Sequence, residues 1–271
     1  MPHLEVPGAR LYWEADGPSS ASALLLIHAG IANLRMWDPV VAALARDHYV
    51  IRFDTRGFGQ TASQDAPFSD RTDALDVLDH LGVQRATFIG CSRGGGIAID
   101  VAVSRPDRVA GLVTIGSGPS GFPDVELTDA EDARFDEIDA AFEAGDHHAV
   151  ARLEAAVWAF GPDRDEAALD PEFVATAYAL ARANVPHASE HPQPQRLEPP
   201  AYDRVVDITV PALVMVGAYD VSDALAAYEY LAETVPTADG YVFLEAAHLP
   251  SVERPDEFLA VLQPWLAGHR L

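Results

Sequence analysis

Short uninterrupted apolar runs alternate with segments of helical spacing through the first part of the chain. Residues 10–15 and 23–27 are expected as strands. The second run, Ala-Leu-Leu-Leu-Ile, has no polar face, as in a sheet covered on both sides. A helix is expected near 33–45 and a strand at 49–53, followed by the turn-forming stretch Asp54-Thr55-Arg56-Gly57-Phe58-Gly59. Residues 69–81 have helical spacing and stop at Gly82, a residue suited to a C-cap. A short strand at 86–90 leads into a helix at 93–104, which stops before Pro106, and 109–115 is another buried strand. This alternation predicts an α/β sheet with helices on both faces.

The pattern breaks near Gly116, and Ser117–Gly121 reads as a Gly/Ser/Pro turn. Residues 124–200 have helical periodicity and no clear strand, and end in a proline-rich stretch that cannot be ordinary helix. They read as a helical insertion. The α/β pattern then resumes, with strands at 212–217 and 241–244 and helices at 222–234 and 255–266.

Composition narrows the chemistry. All 18 basic residues are arginine, set against 42 acidic ones, for a formal net charge of −24. Without lysine there is no Schiff base, no pyridoxal phosphate site and no phosphate loop ending in Gly-Lys-Ser/Thr. A strongly negative field argues against nucleic acid or an anionic membrane as partner. The acid is not spread evenly: residues 124–172 hold 16 acidic side chains against Arg134, Arg152 and Arg164, a net of −13. The single cysteine, Cys91, can form neither an internal disulfide nor a thiolate cluster. The start, Met-Pro-His-Leu-Glu, lacks the pattern of a secretion signal, and no apolar run is long enough to span a bilayer. A cytoplasmic protein is therefore expected, with a small-molecule substrate as partner and a homodimer as the candidate assembly.

The strongest chemical signal is Gly90-Cys91-Ser92-Arg93-Gly94, which follows a strand and opens a helix. That is the context of a nucleophile elbow, a strained corner that exposes a serine hydroxyl. Of the ten histidines, His248 lies just past the last strand, where a loop could bring it to Ser92 as general base. His187 and His191 are four apart but bracketed by prolines, with no His-Glu-x-x-His pattern, so neither metal nor cofactor is expected. Asp220, past the end of a strand, is expected to orient His248, with Asp223 as its nearest competitor. The order serine, acid, histidine is the one that goes with this type of elbow. The oxyanion donors are expected to be the backbone N–H groups of Arg93 and Gly30, with Ala29 as alternative to Gly30. His28 reads as buried scaffold, Asp54 as a turn residue and Cys91 as a small buried residue pointing away from the site.

Taken together, His28-Ala29-Gly30 with Trp37, Asp54–Gly59, Gly90–Gly95, Gly217-Ala218-Tyr219-Asp220 and Ala247-His248 resemble the α/β-hydrolase superfamily. The resemblance implies an eight-stranded, mostly parallel sheet flanked by helices, with a helical cap inserted after the sixth strand. The core would be 1–118 and 206–271, and the cap 119–205. The family's nucleophile, acid and base fall on Ser92, Asp220 and His248, and its oxyanion donors on Gly30 and Arg93. Ala29 stands where a glycine is more usual. Leu34–Pro39, Phe53–Gly57 and Ala246–Pro255 are similar to the 3-oxoadipate enol-lactonase branch and its carboxylesterase relatives.

The resemblance implies a serine carboxylic-ester hydrolase working through an acyl-enzyme on small to medium esters or lactones. An enol-lactone carrying a carboxylate would have to pass beneath the acidic insertion, so neutral substrates are expected; Arg93, Arg134 or Arg152 could supply a local counter-charge. Ile31, Trp158, Phe160 and Leu249 are the expected pocket residues. Trp158, Phe160, Phe135, Phe142 and Tyr178 are candidates for the inner face of the cap. The alternatives are an enol-lactonase-like hydrolase, a cofactor-free haloperoxidase or perhydrolase, and a non-catalytic binding protein.

Overall fold

The computed structural model describes residues 2–271. One sheet contains β1 (His3–Val6), β2 (Ala9–Asp16), β3 (Ala23–Ile27), β4 (Tyr49–Phe53), β5 (Ala86–Cys91), β6 (Val109–Ile115), β7 (Ala212–Gly217) and β8 (Ala238–Phe243). Their spatial order is β1-β2-β4-β3-β5-β6-β7-β8. The pairs β1–β2 and β2–β4 are antiparallel, and every pairing from β4 to β8 is parallel.

The central strands β3, β5 and β7 are buried along their whole length. Alternate residues of β3 feed opposite cores, as the two-residue period of a strand requires. Leu24 and Leu26 join Trp37, Val40, Phe258 and Leu262 on one face. Leu25 and Ile27 join Ala74, Val77, Ile99 and Leu231 on the other. The first face is closed by α1 (Asp38–Leu44), entered through a 3₁₀ turn at Leu34–Trp37, and by the C-terminal helix; the second by α2 (Asp70–His80) and α3 (Arg93–Ser104).

Two strands depart from the sequence reading. β1 is too short and too polar to announce itself, since His3 and Glu5 alternate with Leu4 and Val6. β8 begins at Ala238 rather than 241 because its register is dictated by pairing with β7, from Ala212↔Ala238 to Gly217↔Phe243. It stops before Leu244, which is 70 % exposed.

Between β6 and β7 the chain forms α4 (Asp129–Glu143), α5 (His147–Glu154), a π-helical turn (Ala155–Ala159) and α6 (Pro171–Arg182). The proline-rich return is extended. Gln193–Pro194 pairs in parallel with Pro67–Phe68, a two-residue ladder that helical periodicity did not reveal. α4 starts with a capping box of Thr128 and Glu131. Glu131 is buried and also accepts from the backbone N–H (2.6 Å) and hydroxyl (2.7 Å) of Ser222, the first residue of α7 (Ser222–Thr234). Burial opposes its charge, but the bonds from Thr128 and Ser222 prevail and hold the carboxyl below its ordinary value. One carboxylate thus joins the start of the insertion to the segment that follows Asp220. The chain closes with α8 (Pro250–Glu253) and α9 (Pro255–His269).

Candidate active site

Ser92 stands at the corner between β5 and α3 with φ 52° and ψ −120°, a left-handed conformation that costs a non-glycine residue about 1–3 kcal/mol. Neighbouring bonds hold it there. Its N–H donates to Ile115 O in β6 (2.8 Å), and its carbonyl accepts from Gly95 and Gly96 in the first turn of α3. The helix can pass so close only because Gly90 faces the backbone of Gly94, and Gly94 in turn faces the carbonyls of Ile27 and His28.

Asp220 and His248 meet beside this corner. Both lie just past strand ends and both are buried. His248 Nδ1 is 2.8 Å and 2.9 Å from the two Asp220 carboxylate oxygens. Asp220 also accepts from the Val221 N–H, which fixes its rotamer. Asp223 sits in the first turn of α7, outside this contact, and burial and the nearby carboxylates of Asp124 and Asp220 raise its pKa. His248 is held from two further sides. Its N–H donates to the Trp158 carbonyl, and the Trp158 ring lies 4.9 Å from the imidazole at 49°. Its own carbonyl accepts from the Cys91 thiol at 3.2 Å. Cys91 is buried, as expected, yet it touches the backbone of the histidine.

Gly116 is a site residue that the strand-and-turn reading passed over. It has φ 54°, and a side chain there would come within 2.7 Å of Asp220 Oδ2 and 2.9 Å of His248 Nδ1. The available signal was its position, directly after β6 where the regular pattern stops.

The loop after β3 lies opposite. The Ala29 N–H is already committed to Met36 Sδ, which removes Ala29 as a free donor. At Gly30 a side chain would meet nothing nearer than Arg93 Cβ at 4.0 Å, so this backbone faces the elbow. His28 is fully buried. Desolvation lowers its pKa to about 3, so the ring is neutral. Asp54 accepts from Leu34 N (2.8 Å) and Gln60 N (2.7 Å), the turn-holding role expected of it, and burial raises its pKa to about 6.

The expected pocket residues separate. Ile31 and Trp158 are half-buried, whereas Phe160 and Leu249 are packed into the core, Phe160 edge-on to Phe173 and Tyr178. Phe135 packs against Trp158. Phe142 is 62 % exposed and does not belong to an inner face; it lies beside His147 near the end of α4. His187 bonds Glu190 and the Gly59 carbonyl rather than His191, whose backbone N–H goes to Asp65. The arginines proposed as counter-charges are largely committed: Arg93 to Asp70 at 2.7 Å and Arg134 to Glu137. Arg152 is exposed on α5.

The chain is similar to known proteins along most of its length. Over 269 residues the chain is 29 % identical to 3-oxoadipate enol-lactonase 2 of Acinetobacter baylyi, covering 94 % of this chain and 92 % of that one. It is 25 % identical to a pimeloyl-[acyl-carrier protein] methyl ester esterase of Aliivibrio salmonicida, over 94 % and 95 % of the two chains. The crystal structure of the enol-lactonase from Burkholderia xenovorans LB400 superposes with a TM-score of 0.77 at 24 % identity, over 98 % and 100 % of the chains, which shows a common fold. The model of the alpha/beta hydrolase fold matches residues 22–255, from just before β3 to the first residue of α9, and the chain belongs to that family of hydrolases.

Proposed function

We propose that this chain is a serine carboxylic-ester hydrolase acting on small to medium neutral esters or lactones. The observation that carries the reading is the buried Asp220–His248 pair beside a serine held in a strained corner. With Nδ1 engaged by Asp220, Nε2 is the imidazole nitrogen left for Ser92. In this reading Nε2 takes the Ser92 proton as Oγ bonds to the acyl carbon, and the carbonyl electrons move onto oxygen. The N–H groups of Gly30 and Arg93 receive that oxyanion; losing one such donor costs about 3 kcal/mol. Collapse breaks the bond to the alkoxide, which takes the proton from His248. Water, deprotonated by the same nitrogen, then releases the acid and restores Ser92. Asp220 supports imidazolium throughout.

The preference for neutral substrates rests on charge. The insertion is acidic, and the arginine nearest Ser92 is already paired with Asp70. Similarity to an enol-lactonase keeps lactones within the substrate class. The test is Ser92→Ala assayed with p-nitrophenyl acetate. A fall of about 10³-fold or more is expected, and near-normal hydrolysis would sink the assignment. Covalent labelling by a fluorophosphonate separates an enzyme from a binding protein on the same fold. A panel of neutral esters, neutral lactones and carboxylate-bearing enol-lactones, with and without peroxide, then separates esterase, lactonase and perhydrolase.

A further inference from the structure

A polar chain, half-buried at its Asp70–Arg93 end and buried at its Thr55–His28 end, runs from the start of α2 to the loop after β3, and the mechanism above does not use its side chains. It begins with Asp70, whose carboxylate accepts from Arg93 Nη2 at 2.7 Å. Arg93 Nη1 donates to Thr55 Oγ1 at 2.6 Å, and the guanidinium lies 5.2 Å over the Phe58 ring. Thr55 Oγ1 is 3.1 Å from His28 Nε2, and the Thr55 backbone N–H donates to the same nitrogen at 3.0 Å. A backbone N–H can only donate, so Nε2 is the acceptor and the imidazole proton sits on Nδ1. Nδ1 lies 2.8 Å from the Ala29 carbonyl and donates to it. Phe58 packs edge-on against the ring at 5.1 Å.

The end of this chain gives it meaning. The carbonyl of Ala29 and the N–H of Gly30 belong to one planar trans peptide and point in opposite directions. A bond that fixes the carbonyl therefore fixes the N–H. Ala29 O also accepts from Ala32 N at 3.0 Å, while the Ala29 N–H is held by Met36. We infer that Asp70, Arg93, Thr55 and His28 are positioning residues that set the orientation of the Ala29–Gly30 peptide and aim the Gly30 N–H at the oxyanion. The inference rests on the reading of Gly30 as an oxyanion donor. Beyond Asp70 the bonds run one way: Arg93 donates to the Thr55 hydroxyl, the Thr55 hydroxyl and N–H share the Nε2 lone pair, and Nδ1–H donates to the carbonyl, and such aligned bonds polarise one another. The peptide at the end carries a stiffer and more positive N–H than a free loop would offer. The side chain that follows the nucleophile thus ties one oxyanion donor to the other.

The test uses the full chain with Thr55→Val, Arg93→Met, His28→Leu and His28→Asn. The last keeps an N–H donor near the Nδ1 position. The readouts are kcat and KM for p-nitrophenyl acetate, thermal melting, and inhibition by phenylboronic acid, whose serine adduct is tetrahedral and places an oxygen in the oxyanion site. For Thr55→Val and Arg93→Met, kcat is expected to fall about tenfold or more with KM within about twofold. The inhibition constant should rise in step with the loss of kcat. His28→Leu should lose more, and His28→Asn should recover most of it. If His28→Leu does not fold, Thr55→Val and Arg93→Met decide. Unchanged kcat and boronate affinity in both, or losses that follow melting alone, overturn the inference. Should Ser92→Ala stay active, the underlying reading fails instead; an inactive Ser92→Ala beside normal positioning variants rejects the chain alone.

Discussion

At Ser92 the backbone conformation needed for reactivity opposes stability. An L-residue at φ 52° is strained and glycine is not. Ser92→Gly is therefore expected to abolish hydrolysis while raising stability by about 1 kcal/mol, read from thermal melting. Gly116 is the converse case. Gly116→Ala would drive a methyl group between Asp220 and His248 in a left-handed position. A drop in kcat of about a hundredfold and a lower melting temperature are expected. Asp54 makes a prediction with pH. Burial raises its pKa from 3.8 to about 6, so the folded state holds this proton more tightly than the unfolded one. Its contribution to stability is full below the unfolded value and is lost as pH rises through about 6. The stability of wild type relative to Asp54→Asn should fall by about 3 kcal/mol between pH 3.5 and 7. Ser92, Asp220 and His248 stood out in the sequence because each follows an apolar run, and strand ends on one sheet edge converge. Gly116 also follows an apolar run, but nothing chemical marked it, because its constraint comes from two side chains far along the chain. The partnership of Arg93 with Asp70 was hidden for the same reason.

Among the elements, the π-helical turn at Ala155–Ala159 has the clearest local effect. It delivers both the carbonyl and the ring of Trp158 to His248. Nothing in the sequence distinguishes a π turn from an α turn, since the apolar spacing is nearly the same. The central strands were legible because burial on both faces leaves an unbroken apolar run. β1 and the start of β8 were not, because an edge strand takes its register from its partner. The joint at Glu131 is a test at this scale. Glu131→Ala removes the capping box of α4 and the bonds to Ser222 together. A loss of about 2–3 kcal/mol is expected, with faster amide exchange at the starts of α4 and α7. An unchanged exchange rate at Ser222 would argue that the joint does not hold the insertion.

For the whole molecule, the charge of −24 makes a prediction about salt. Raising ionic strength from 0.01 to 0.15 M shortens the screening length from about 30 to 8 Å. It should raise kcat/KM for a carboxylate-bearing ester severalfold and leave a neutral ester nearly unchanged. Equal responses would remove the electrostatic argument for neutral substrates. The overall architecture was legible because the strand-helix alternation is a property of the entire chain, whereas the path of the insertion across the sheet edge depends on contacts no local pattern encodes. The placement of Cys91 has a consequence of another kind. Its thiol is buried directly behind Ser92 and bonded to the His248 backbone, and burial, reinforced by Asp220, pushes its pKa well above the ordinary value. It is the sole thiol in the chain. A thiol-reactive dye can therefore report on one place only, and its rate of reaction times how often the floor of the serine corner opens.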